Sequence, residues 1–341
     1  MNVLIYTGYQ KNPYNSNTLK HKGLGGTEQC CIYLSKYFKN FGWNVIVGGM
    51  VKEDTIDGIQ WLTNDTIHKI MFNKFDVIIG VSYIHFLKEF KDYNCKKIFW
   101  VHNLSYFPWW KGKELPNHKR LLNSPDLNKI VCLTNWHKNQ WASKYNLSLD
   151  KIEVIGNGVE VKNFNKKIKK QLGKIIWSSA PERGLIELLN NWKNIKNVIP
   201  YAELHVFTPS YSIEDFNKIK YNLKDVYFRG NVPPSKLHEE MLSSEYWIYL
   251  TEYEETYCIT AIEMQLAKVF PITTNVAALK ETVFNGLVVE NTSDKWNEVL
   301  SNIKNINKKL KNKIIKDNIK LSKETTWLMK SLMWKTLINN I

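Results

Sequence analysis

Two carboxylates, Glu255 and Glu263, stand eight residues apart in "EETYCITAIEMQLA", across a change of local pattern. The run before them, "YWIYL" (Tyr246 to Leu250), is apolar and β-rich. The run after them, "ITAIEMQLA", places Ile259, Ile262, Leu266 and Ala267 on one helical stripe. On one continuous helix eight residues advance about two turns plus roughly 80°, so the two carboxylates would only partly share a face. A strand–loop–helix reading instead puts Glu255 in the loop at the carboxyl end of a strand, and Glu263 a turn into the helix. Both then look into one cleft at different depths, and in open α/β sheets that cleft is where ligands bind.

Four further segments carry groups with chemistry. In "WSSAPERGL" (Trp177 to Leu185) a strand gives way to a helix; Ser178 and Ser179 can donate to phosphate oxygens, and the Arg183 fork suits a diphosphate. The same segment also reads as an ordinary helix start with a surface Arg. "KGLGGTE" puts Gly25 and Gly26 before a helix, where backbone N–H groups and a partial positive charge face an anion. About fifteen residues separate Thr7 from Gly23, too many for a dinucleotide fingerprint, and a plain turn with a capped helix is the alternative. "YFRGNV" ends a strand with Arg229 and Gly230, where a flat ring could approach the backbone. His102, in "FWVHNLSYFPWW", sits at a strand end and is either a hydrogen-bonded structural residue or a catalytic one. Tyr106, Phe107, Trp109 and Trp110 after it either stack on a sugar face or cover a loop.

The elements that must position these groups alternate. "NVLIYTG", "NVIVGG", "DVIIGVS", "KIFWVHN" and "KIVCLTN" fit strands buried on both faces, and "TEQCCIYLSKYFKNFG" fits an amphipathic helix with Thr27 as N-cap and Gly42 as its stop. Lys151 to Lys174 turns polar and Lys/Asn-rich and reads as a linker. A second series follows: "KIIWSSA", "ELHVFTP", "VYFRGNV", "WIYLTE", "VFPITT" and "GLVVEN". Strands alternating with helices imply parallel, doubly wound sheets. The 341 residues, with 44% hydrophobic and 13% aromatic content, suffice for two such domains. No apolar stretch is long enough to span a membrane, and "MNVLIYTGYQ" reads as a first buried strand, not a signal peptide. Five cysteines without a C-x-x-C pair fit reduced, mostly packed thiols of a cytosolic protein, Cys30 and Cys31 among them. The net charge of +15 is largely Lys in a Lys-, Asn- and Ile-rich chain, as an AT-rich genome produces, spread over a solvated surface.

Taken in order, "GLGGTE", "VHN", "VIGNGVE", "SSAPERGL", "YFRGNV" and "EETYCITAIE" resemble the nucleotide-sugar-dependent glycosyltransferases of the GT-B fold, and among them the retaining family 4. The resemblance spans nearly the whole chain and is most specific at the two glutamates and the following "AKVFPITT". It implies an α/β protein of two Rossmann-like doubly wound domains facing across a cleft: an acceptor-side domain over 1–165, a nucleotide-sugar-binding domain over 166–322, and a C-terminal helix over 323–341 packing back on the first. It implies a retaining hexosyltransferase that takes a nucleoside-diphosphate sugar as donor, a glycan or lipid as acceptor, and no cofactor or metal. Arg183 would neutralise the diphosphate, with Ser179 nearby. Glu255 would contact hydroxyls of the transferred sugar, and Glu263 both ribose hydroxyls. Backbone N–H groups of Tyr257, Cys258 and Ile259 would receive the leaving phosphate, and Arg229 and Gly230 would lie by the base. Gly25 and Gly26 would approach the diphosphate or sugar from the first domain, and His102 the sugar and acceptor.

Two positions depart from the family pattern. Thr256-Tyr257-Cys258 stands where Gly-aromatic-Gly is frequent, and Arg183 where Lys is frequent; both bear on the choice of donor. Near a helix N-terminus and facing Arg183, the Cys258 thiol is expected to react faster than Cys30 or Cys132. Ile303 to Ser322 reads as one basic amphipathic helix, with Ile303, Ile306, Leu310 and Ile314 on one side. It is either a packed surface helix or a peripheral contact with anionic membrane. Two other functions stay open: a nucleotide-sugar epimerase on the same fold, and a non-catalytic basic module for nucleic acid or membrane, though nucleic acid is not the expected partner. Steep salt dependence of binding would mark the module.

Overall fold

Short apolar runs bounded by polar turns become the strands of two sheets, each in its own unit. The computed structural model describes residues 1–9, 12–69, 75–105, 118–209 and 223–341. Unit 1 comprises Met1–Leu19, Gly25–Gly158 and Trp327–Ile341; unit 2 comprises Lys20–Leu24 and Val159–Thr326.

The strands of unit 1 are β1 (Asn2–Tyr6), β2 (Asn44–Gly49), β3 (Asp54–Ile56), β4 (Ile59–Thr63), β5 (Val77–Val81), β6 (Lys96–Trp100), β7 (Lys129–Cys132) and β8 (Ile152–Val154). They lie in the order β3-β4-β2-β1-β5-β6-β7-β8, parallel throughout except for the antiparallel pair β3–β4. Leu4 in β1 aligns with Ile46 on one side and Ile78 on the other. All five residues of β5 are buried, which explains why its sequence is a continuous apolar run with no alternation.

Unit 2 is built from β9 (Lys174–Ser178), β10 (Glu203–Phe207), β11 (Val226–Phe228), β12 (Tyr246–Tyr249), β13 (Phe270–Thr274) and β14 (Leu287–Val289). Their order is β11-β10-β9-β12-β13-β14, and every pair is parallel. The chain therefore builds outward from β9 through β10 to β11, then returns to the other side of β9 with β12. That reversal leaves a crevice at the carboxyl ends of β9 and β12, the topological switch point at which open sheets bind ligands.

The helices that bear on the site are α1 (Gly26–Asn40), α2 (Asn135–Tyr145), α3 (Leu185–Asn190), α4 (Pro234–Ser243), α5 (Ile259–Leu266), α6 (Lys295–Lys304), α7 (Lys308–Ser322) and α8 (Trp327–Asn340). α1 buries Cys30, Cys31, Leu34 and Phe38. α8 lies on unit 1, where Trp327 stacks on Tyr33 with ring centroids 5.7 Å apart and Trp334 meets Trp100 edge-on at 5.2 Å.

Three local expectations are corrected. α1 is capped by Gly25 and includes Thr27, because the first helical hydrogen bond already runs from the Gln29 amide to the Gly25 carbonyl at 3.1 Å. The polar segment 151–174 opens with β8, whose three residues pair with Ile130, Val131 and Cys132 of β7. The basic stretch is two helices: α6 ends at Lys304, and Asn307 starts α7 by accepting hydrogen bonds from the Lys309 and Leu310 amides. An Asn in the N-cap role satisfies the open N–H groups of a new helix and so breaks the run. Ile303 is buried, so it cannot share an outward face with Leu310. No helix among the described residues is long and apolar enough to cross a membrane.

Candidate functional site

At the switch point of the second sheet, β9 ends in Ser178 and the chain turns through Ser179 and a 3-10 turn, Pro181–Arg183, into α3. Trp177 Nε1 donates to the Ser179 carbonyl at 2.9 Å and holds this turn close to its strand. Gly184 takes φ +114°, left-handed backbone that an L side chain seldom adopts, and this reverses the chain directly after Arg183.

The neighbouring strand β12 ends in Tyr249, and the loop 250–258 leads into α5. Arg183 Nη1 donates to Glu255 Oε1 at 2.6 Å, and the Tyr249 hydroxyl donates to the same oxygen at 2.6 Å. Ser179 Oγ lies 3.4 Å from the Tyr249 hydroxyl, so four groups from both sides of the switch point form one chain of contacts. Glu255 is 5% exposed, and with both bonds on Oε1 its other oxygen, Oε2, is the one that can meet a ligand. The Arg183 guanidinium also lies over the Tyr253 ring, 4.4 Å from its centroid. Burial alone would lower the Arg183 pKa, but the Glu255 carboxylate more than offsets this and holds the guanidinium firmly charged. Burial, reinforced by Glu255, pushes the Tyr249 phenol well up, so it remains a donor.

Arg183 Nε is buried and makes no hydrogen bond. An orphaned donor of this kind is costly, and an anionic oxygen is the acceptor that would satisfy it. The N-terminus of α5 supplies further donors, since the first N–H groups of a helix have no acceptor within it. Its start is tied to the rest of the site: Thr260 Oγ1 reaches the Ser178 carbonyl at 3.5 Å, and the Ala278 amide donates to the Glu255 carbonyl at 3.1 Å. Lys295 of α6 anchors the loop through Glu252 at 2.9 Å.

Tyr257 is buried, and Cys258 takes φ +63° immediately before Ile259 opens α5. Left-handed backbone favours glycine, which accounts for the glycine that the resembling family frequently has here. The expectation of a low Cys258 pKa is corrected: burial, followed by the Glu255 charge, pushes the thiol well up despite the helix terminus and Arg183. Iodoacetamide at neutral pH should therefore label half-buried Cys258 slowly, because little of it is thiolate. Peptide mass mapping checks this, and rapid selective labelling of Cys258 would restore the original expectation.

Glu263 lies on α5 with its carboxylate Oε1 3.4 Å from His238 Nε2, a residue of α4. The His238 ring packs on Phe164 at 4.9 Å between centroids. Arg229 and Gly230 follow β11, two strands away from β9. The Arg229 guanidinium rests on the Tyr227 ring at 5.1 Å, and Gly230 takes φ +68°.

His102, Gly25 and Gly26 belong to unit 1. His102 follows β6, is buried, and packs on Trp100 with ring centroids 4.4 Å apart. Burial and then His137 of α2 lower its pKa to about 3, so it is a neutral imidazole across the physiological range. Gly25 and Gly26 are exposed at the start of α1, where a Cβ on Gly25 would come within 2.4 Å of Glu28 Oε2. Tyr106, Phe107, Trp109 and Trp110 lie outside the described residues. A depression lined by Asn2, Asn44, Thr55, Gln60 and Phe75 opens at the amino ends of the first-sheet strands, the wrong end for a switch-point ligand. Among the described residues no group of three or more His, Cys, Asp or Glu side chains is placed to hold a metal ion.

The structure thus brings Arg183, Glu255 and Ser179 together and adds three residues that sequence patterns did not reveal: Tyr249, Tyr253 and His238. Tyr249 and Tyr253 precede the first glutamate by six and two residues and read there only as part of a β-rich apolar run and its loop. His238 is twenty-five residues from Glu263 and only the packing of α4 on α5 joins them.

No protein-family model matches the chain, and no curated protein does. Solved structures do. A glycosyltransferase from Rickettsia africae superposes with a TM-score of 0.76 at 19% identity, over 99% of this chain and 97% of that one. Sucrose-phosphate synthase from Thermosynechococcus elongatus gives 0.77 at 14%, over 100% and 98%. Anabaena HepE in complex with UDP and glucose gives 0.72 at 11%, over the whole of both chains. The two doubly wound parallel sheets are those of the GT-B glycosyltransferase fold.

Proposed function

We propose that the protein is a retaining glycosyltransferase that moves a sugar from a nucleoside diphosphate to a hydroxyl of a glycan or lipid acceptor. The observation that carries this reading is the Arg183–Glu255–Tyr249 cluster at the switch point of the second sheet, with a buried guanidinium N–H left to meet an anion. Fold likeness adds support, since HepE has been solved with UDP-glucose and with UDP.

In this reading the donor diphosphate lies between Arg183 and the N–H groups at Tyr257, Cys258 and Ile259, with Ser179 beside it. As the bond from the anomeric carbon to the phosphate oxygen breaks, its electron pair passes to that oxygen. Arg183 and the helix terminus stabilise the growing negative charge. Glu255 Oε2 accepts from a hydroxyl of the transferred sugar and faces the positive charge developing at the anomeric carbon. The acceptor oxygen attacks from the side of the departing phosphate, and its proton passes to the phosphate oxygen. Glu263 takes the two ribose hydroxyls, and the Arg229–Gly230 turn borders the base.

A thermal-shift panel of UDP-, GDP- and ADP-sugars, followed by product analysis on any hit, tests the proposal. Stabilisation by a sugar nucleotide and a new glycoside with retained anomeric configuration is the expected result. Release of free epimerised sugar with no acceptor product would point to the epimerase instead.

Glu263→Ala should weaken nucleoside diphosphate binding about tenfold or more, because hydrogen bonds to a charged group contribute about 1.5–3 kcal/mol. The same variant should bind the 2′,3′-dideoxy nucleotide almost as the parent protein does. Calorimetry with both ligands checks this, and equal losses for both would take Glu263 away from the ribose.

A further inference from the structure

The Glu263 carboxylate is held from outside its own helix. His238 Nε2 of α4 lies 3.4 Å from Glu263 Oε1, and among the described residues no other side chain bonds this carboxylate. A neutral imidazole donates to a carboxylate here only with its proton on Nε2. The His238 ring is itself buried, and it packs on Phe164, the last residue of a 3-10 turn over Val161–Phe164, with centroids 4.9 Å apart. The carboxylate therefore meets a donor with little freedom to turn away. The two helices are also tied at their carboxyl ends. The Lys170 amine donates to the carbonyl of Ser244, which caps α4, and at 2.7 Å to that of Ala267, which caps α5. These are carbonyls that a helix end leaves without a partner of its own. The Ala267 amide in turn donates to the Glu263 carbonyl at 2.9 Å, so Glu263 stands one turn from the tied end. The Gln171 amide bonds the Ser243 carbonyl at 2.8 Å and Lys174 pairs with Glu240 at 2.7 Å, which fixes the Lys170 segment along α4.

We infer that His238 is a positioning residue: it fixes the Glu263 carboxylate and thereby sets the preference for ribose over a sugar lacking its hydroxyls. The inference rests on the reading of Glu263 as the carboxylate that takes both ribose hydroxyls. A free glutamate side chain turns about several bonds, and ordering it at a ligand costs conformational entropy. A partner that holds it beforehand lowers that cost, so more of the hydrogen-bond energy appears as affinity. With one lone pair of Oε1 given to His238, the rest of Oε1 and the whole of Oε2 remain for the two hydroxyls. A site built to hydrogen-bond hydroxyls rejects a ligand without them, because its polar groups then go unpaired. Were His238 only a packing residue, a phenylalanine on Phe164 would serve equally well.

Calorimetry with UDP, GDP and ADP finds the base that the parent protein takes, and the matching 2′,3′-dideoxynucleoside diphosphate is the second ligand. The parent should prefer the ribonucleotide by about tenfold or more. His238→Phe keeps a ring on Phe164 but donates nothing to Glu263. It should lower that preference about threefold or more, the contribution of one neutral hydrogen bond, while affinity for the dideoxy compound holds. His238→Gln, whose amide reaches the Nε2 position, should restore most of the preference. A second measurement uses the unaltered protein: the NMR resonance of His238 Nε2 should move on saturation with the ribonucleotide and stay in place with the dideoxy compound. An undiminished preference in His238→Phe, an equal loss for both ligands, or a resonance indifferent to the ribonucleotide would each overturn the inference and leave Glu263 at the ribose. A parent protein that binds both ligands alike, or none of the three diphosphates, would instead take Glu263 away from the ribose, and the inference would fall with it.

Discussion

Arg183→Ala should reduce turnover about a hundredfold or more, the usual loss when one preorganised electrostatic group is removed from a developing anion. In the proposed reaction the effect falls on the rate, because diphosphate charge grows as the sugar–phosphate bond breaks and the cation contributes more in the transition state than in the bound donor. The variant also leaves the Glu255 carboxylate, 5% exposed, without its cation. Breaking a buried pair costs about 3–5 kcal/mol, and the lower end applies because the Arg183 side chain keeps 31% exposure. Thermal unfolding and kinetics must therefore be measured on the same preparation. Arg183→Lys separates the two effects: it restores a positive charge but not the fork that spans Glu255 and an anion. Its stability should largely recover while its turnover stays between those of Ala and the parent. Should Arg183→Ala turn over at nearly the parental rate with only a weaker donor KM, Arg183 would be a binding residue with no share in the chemical step.

The parts of this site that were legible in the sequence depend on local patterns, and those that were not depend on long-range packing. The run Tyr246 to Leu250 ends in a loop because the apolar alternation stops there, and Glu263 sits on a helix because the spacing after Ile259 changes to helical. Both follow from periodicity alone. The parallel sheets follow from alternating strand and helix segments, and the switch point follows from the return of β12 to the flank of β9. By contrast, the Tyr249 hydroxyl meets Glu255 only once the loop folds back over its own strand. The Cys258 thiol differs from its sequence expectation for a related reason: the helix start and Arg183 lower its pKa, but burial by the surrounding fold, followed by the Glu255 charge, raises it further. Asn307 carries a recognisable capping side chain, yet a run of lysines and isoleucines on either side outweighed it.

Glu255→Gln is expected to separate binding from chemistry. The amide nearly matches the carboxylate in shape, so the Tyr249 hydroxyl can still donate to its carbonyl oxygen. The buried negative charge is gone, however, and Arg183 is no longer shared between an internal carboxylate and the donor. A nucleoside diphosphate without a sugar should bind as tightly as before, or more tightly, since the guanidinium is released to the phosphates. Turnover of the sugar nucleotide should fall about a hundredfold or more, because the carboxylate proposed to face the anomeric carbon is lost where charge develops. Tyr249→Phe should give a smaller decrease of about tenfold or more, the contribution of one hydrogen bond to a charged group. Calorimetry with the nucleoside diphosphate and single-turnover kinetics with the sugar nucleotide measure the two quantities separately. If nucleotide affinity drops while single-turnover rates hold, Glu255 serves only to hold Arg183 in place. The sugar-facing part of Oε2 would then be withdrawn, and the anion site alone would stand.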